Sequence, residues 1–132
     1  MNRRHFIASV VALSAARSVL SSVNINRRSK LGMCTFSCHR HWSAVREGSV
    51  PTKFRDGPTY YNYARELGGD GVQTGIASLT EEQIASFRKT VERTDGYYEG
   101  DIRLPNRESE LEAFEQDVVR ASAAGATAAR AC

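Results

Sequence analysis

A parallel α/β architecture of repeating βα units follows from three features of this 132-residue chain. Short, largely apolar strand segments begin near residues 31, 71, 97 and 128, and helix-patterned segments separate them. The crossovers are short, so successive strands lie parallel with helices covering them, in a doubly wound sheet or in part of a barrel. The composition is that of a core-forming chain, 41% hydrophobic, 25% charged and with only three prolines, which excludes a disordered or collagen-like polypeptide.

The first strand is Leu31 to Cys38, a run bounded by Lys30 and the polar His39-Arg40-His41, which suits a buried strand. A long connection follows from His39 to Gly57. Tyr60, Tyr63, Ala64 and Leu67 recur at i, i+3, i+4 and i+7, with Asp56-Gly57-Pro58 before them and Gly68-Gly69 after, so a helix of about three turns is bracketed by its own start and stop signals. Gly71 to Ile76 is a short, glycine-rich second strand. Thr80 and Gln83 form a capping box ahead of the stripe Ile84, Phe87 and Val91, the firmest helix in the sequence. Tyr97 to Leu104 is the third strand, closed by Pro105 and Asn106. Ser109 with Glu112, or Asn106, caps a last helix whose apolar face is Leu111, Phe114, Val118 and Ala121. Gly125 ends it, and Ala128 opens a fourth strand.

The formal charge of +3 is unevenly placed. Arg3, Arg4, Arg17, Arg27 and Arg28 lie before residue 30 with no carboxylate among them, which leaves thirteen cations against fifteen anions, a net −2, in residues 30–132. A mildly acidic body disfavours a nucleic-acid partner. Residues 1–29 read as an address and linker: Arg3 and Arg4 precede the uncharged run Phe6 to Ala16, too short for the roughly 20 residues of a membrane span. Their spacing to Phe6 and Ile7 resembles the twin-arginine export signal, which implies an exported, extracytoplasmic protein. An amphipathic helix packed on the domain is the alternative.

The three cysteines do not form a disulfide framework. On one strand, Cys34 and Cys38 would stand about 13 Å apart at 3.3 Å per residue, beyond the reach of a bridge. The cluster Cys34, Cys38, His39 and His41 lacks the second ligand pair of the strong zinc patterns, so no metal site is assigned to it.

Lys30-Leu-Gly-Met33, Phe54-Arg-Asp56, Tyr63 to Gln73 (YARELGGDGVQ) and Tyr98 to Pro105 (YEGDIRLP) together resemble the N-terminal part of the sugar phosphate isomerase/epimerase family, the xylose-isomerase-like barrels. The resemblance covers residues 30–132. It implies an incomplete (β/α)8 TIM barrel of about three and a half βα units, since a full barrel takes eight units and about 250 residues. It also implies, for a full-length relative, a divalent metal (Mn, Mg, Co or Zn) and isomerisation or epimerisation of a sugar or sugar phosphate. The family's metal ligands come from later strands, so no metal ligand and no catalytic residue is carried over. The expectation is a truncated chain, inactive alone. What remains is the pocket floor. Strand C-terminal ends face the site of a barrel, and they place Phe36, His39, Gln73, Glu99 and Arg103 nearest a sugar. Each has a plainer role: His39 as a loop residue, Gln73 as barrel filling, Glu99 and Arg103 as an ion pair. A second reading is a small exported carbohydrate-binding or interaction module that associates through the open sheet edge at 128–132.

Overall fold

The computed structural model describes residues 29–49 and 53–131. The twin-arginine-like motif and its apolar run lie outside the described residues. Four strands, β1 (Gly32–Cys34), β2 (Gly71–Thr74), β3 (Tyr97–Ile102) and β4 (Ala128–Ala131), form one sheet in the order β1-β2-β3-β4. Every pairing is parallel, with Cys34, Gln73, Glu99 and Ala128 in one register row. Doubly wound sheets reverse their strand order at a switch point. This order has no reversal.

Four helices accompany the strands: α1 (His39–Glu47), α2 (Gly57–Glu66), α3 (Glu81–Arg93) and α4 (Leu111–Ala123). The last three share a single core with one face of the sheet, where Tyr60, Tyr61 and Ala64 of α2, Ile84, Phe87 and Val91 of α3 and Ala121 of α4 meet Val72, Tyr98 and Ile102. Phe87 sits between Tyr61 and Tyr98 with both ring pairs edge to face, at 5.6 and 5.2 Å between centroids, the arrangement aromatic quadrupoles favour. Gly100 lets α4 approach closely: a Cβ there would stand 3.1 Å from that of Ala121. Period-two alternation puts Tyr97, Glu99 and Asp101 on the opposite face, which these helices leave open.

The helix signals act as their chemistry requires. Asp56 accepts from the Thr59 amide at 2.9 Å, and Thr80 and Gln83 complete a reciprocal capping box, so both helix starts satisfy amides that would otherwise lack partners. Gly48 and Gly125 take positive φ where α1 and α4 stop.

Several expectations are corrected. The first strand ends at Cys34 rather than Cys38, and Thr35–Cys38 turn as a 3-10 helix. The Thr35 hydroxyl, not a strand amide, donates to the Gln73 carbonyl at 3.0 Å. Cys34 and Cys38 therefore do not share a strand, and the 13 Å separation does not apply. The connection from His39 holds α1, a helix without a fully buried residue. The third strand stops at Ile102. Neither Ser109 nor Asn106 caps α4, because Glu108–Glu110 form a 3-10 turn and the Glu110 carboxylate instead accepts from the Asn106 amide at 2.8 Å. Leu67 (61% exposed), Leu111 (46%) and Val118 (42%) lie outside the core, and the buried stripe of α2 runs through Tyr61 instead.

Candidate functional site

The two ends of the sheet are built differently. At the N-terminal end, Arg65 donates to the carbonyls of Gly69 and Thr94 and stands 3.5 Å from Asp70, whose other carboxylate oxygen accepts from the Leu31 amide. This half-buried cluster ties β1, β2 and the ends of α2 and α3 together. Tyr97 covers the same end of the open face. Cβ atoms added at Gly32 or Gly71 would collide with its ring or hydroxyl, so the phenol lies across two neighbouring strands. Partial burial and the charges of Glu99 and Asp70 raise its pKa above the ordinary tyrosine value.

Toward the C-terminal end, the open face becomes polar. Gln73 and Glu99 are register partners on adjacent strands, about 4.8 Å apart along the sheet. One layer further, Asp101 and Arg130 are partners in β3 and β4. The Arg130 guanidinium lies 5.4 Å from the centroid of Phe36, just beyond β1. A flat sheet would separate β1 from β4 by three strand spacings, about 14 Å. Phe36 and Arg130, from opposite borders of the sheet, nonetheless meet. Strand-end carbonyls are occupied from the helix side: Tyr60 donates to Cys34 at 2.7 Å and Tyr98 to Thr74 at 3.1 Å. Burial, the largest cause, pushes both phenols well above the ordinary tyrosine range, with Cys38 adding to the effect at Tyr60 and Asp101 at Tyr98.

The residues singled out in the sequence divide among three places. Gln73 and Glu99 stand together on the open face. Arg103 lies past the end of β3, in a cleft of about 160 Å³ shared with Phe114 and Asp117 of α4. No ion pair joins it to Glu99 among the described residues. His39 opens α1 and lines a separate cleft of about 290 Å³ with Ser37, Cys38, Arg40, His41, Phe54 and Tyr63. Phe36 is 63% exposed at the rim.

Sequence reasoning passed over Arg130, because only the register of β4 aligns it with Asp101, and over Arg40, and it weighed His41 only as a metal ligand. The 3-10 turn also gives Cys34 a specific setting. Its sulfur lies 3.4 Å from the Ser37 hydroxyl, and that hydrogen bond is the main cause lowering the thiol's pKa.

The divalent metal implied by the family resemblance finds no cage here. Among the described residues no three His, Cys, Asp or Glu side chains converge as a ligand set. No helix among them is long and apolar enough to cross a membrane. Comparison with protein-family models, curated proteins and solved structures finds no match to this chain.

Proposed function

We propose that residues 30–132 form the leading arc of a (β/α)8 barrel of the sugar phosphate isomerase/epimerase kind and supply part of its sugar-binding floor. The observation that carries this reading is the sheet itself: four parallel strands in unbroken order, helices α2 to α4 on one face, and a polar row on the other. The inward contact between Phe36 and Arg130 supports a concave arc. Sugar hydroxyls both donate and accept; Glu99 would accept from them, Gln73 would do both, and Phe36 offers an apolar surface for a ring. These residues bind and orient. Isomerisation would need, besides these, a positioned acid-base pair and a Lewis acid.

The test is a two-dimensional NMR titration of the full chain with ribose and ribose 5-phosphate. Saturable shifts should centre on Gln73, Glu99 and Phe36 and weaken at least fivefold in Glu99→Ala. Absence of shifts on this row would overturn the sugar assignment, and sugar turnover abolished by EDTA would overturn the restriction to binding. We also propose that residues 1–29 direct twin-arginine export; a reporter fusion exported equally well after Arg3→Lys and Arg4→Lys would refute this.

A second reading, an interaction module, draws on β4, whose four residues are all exposed and whose only pairing among the described residues is with β3. An unpaired border of this kind templates strand addition. Concentration-dependent self-association that Ala129→Pro abolishes would favour it.

A further inference from the structure

We infer that the cleft beside α1 is a binding site for a small ring-bearing organic phosphate, distinct from the polar row of the open face. Three observations converge on it. First, its walls are aromatic. Phe54 is buried at its base, with His41 at 4.0 Å, Trp42 at 4.9 Å and Tyr63 at 5.2 Å between ring centroids, and Phe54 and Tyr63 themselves line the opening. A planar or sugar ring entering a cleft of about 290 Å³ meets π-faces on which it can stack.

Second, the charge is one-sided. Arg40, His39 and His41 line the cleft with no carboxylate among the lining residues, and Lys53 stands over the Tyr63 ring at 5.5 Å from its centroid. Arginine's planar fork matches a phosphate's oxygens in geometry and charge.

Third, the site holds buried nitrogens that lack partners. Three buried side-chain nitrogens have no hydrogen-bond partner among the described residues, and two of them are His41 Nε2 and Trp42 Nε1, adjacent on α1 and both packed on Phe54. Native structures leave few such atoms unpaired, since each one is desolvated without compensation. His41 borders the cleft, and a ligand that draws its imidazole outward gives the buried Nε2 the partner it lacks.

The sugar-floor reading predicts nothing about this cleft, and its failure would leave the present inference standing. Trp42 is the only tryptophan of the chain, so its fluorescence, excited at 295 nm, reports on this cluster alone. The full chain is titrated with phenyl phosphate, phenol and inorganic phosphate. Phenyl phosphate should change the emission saturably and bind at least tenfold more tightly than either of the others. Arg40→Ala should weaken it at least fivefold, with unchanged circular dichroism and thermal midpoint, while Arg107→Ala on an exposed turn should leave it unaltered. No saturable change, equal binding of inorganic phosphate, or an unaffected Arg40→Ala would each overturn the inference.

Discussion

The two faces of this sheet, drawn from the same strands, are put to opposite uses. On the covered face, Val72, Tyr98 and Ile102 meet three helices, and the Tyr98 hydroxyl donates to the Thr74 carbonyl. On the open face, Tyr97 lies flat over glycines at one end, while Gln73, Glu99, Asp101 and Arg130 occupy the other. Alternate residues of β3 therefore serve stability and surface chemistry in turn, and a one-residue slip would exchange them. The covered face should govern whether the chain folds, and the open face should tolerate change until a ligand is asked for.

Removing the Phe87 ring strikes the covered face at its centre, between Tyr61 and Tyr98. Phe87→Ala should cost about 3–5 kcal/mol in chemical denaturation; a loss under 1 kcal/mol would show that the core is not organised around it. Gly71→Ala tests the boundary between the faces, because the new Cβ would run into the Tyr97 backbone carbonyl as well as its ring. A loss of about 1–3 kcal/mol is expected, and no loss would mean that Tyr97 does not lie across β2.

The tyrosines offer a contrast readable by pH. Burial raises the phenols of Tyr60 and Tyr98 on the covered side and of Tyr97 on the open side. A folded-state pKa above the unfolded value of about 10 contributes stability that is full below that pH and is lost as pH rises through the raised values. Absorbance at 295 nm should therefore show part of the tyrosine titration delayed relative to the urea-unfolded chain. Coincident curves would contradict the burial. The smallest stability effect belongs to the open face. Glu99→Gln should change stability by less than about 0.5 kcal/mol, yet bring the Tyr97 titration down toward its ordinary range by removing a nearby negative charge. A large destabilisation would instead make Glu99 part of the structural framework.

Legibility followed the locality of the forces. The N-cap at Asp56, the capping box at Thr80, the stripe Ile84-Phe87-Val91 and the stop at Gly125 are short-range devices, and all of them were readable in residue order. The first strand was overextended because Thr35-Phe36-Ser37-Cys38 carries the apolar character of a strand. Its end depends on a long-range event, the Thr35 hydroxyl taking the Gln73 carbonyl. Helix α1 was hidden because its stability comes from Trp42 and His41 packing on Phe54, a residue outside the helix.

Within the candidate site, the sequence named Gln73 and Glu99 from their positions near strand ends, and the parallel register made them neighbours. It could not sort His39 and Arg103 into separate clefts, because both follow strand ends and only the packing of α1 and α4 decides where each is carried. By itself the sequence determined the alternation of strands and helices, the helix starts and the mildly acidic body, since periodicity, capping and charge act over a few residues or along the chain. The tertiary structure alone decided the strand order, which face stayed open, the meeting of Phe36 with Arg130 and the unpartnered nitrogens beside Phe54. These depend on pairing and packing between residues far apart in the chain, where many registers share the same local pattern and only long-range contacts choose among them.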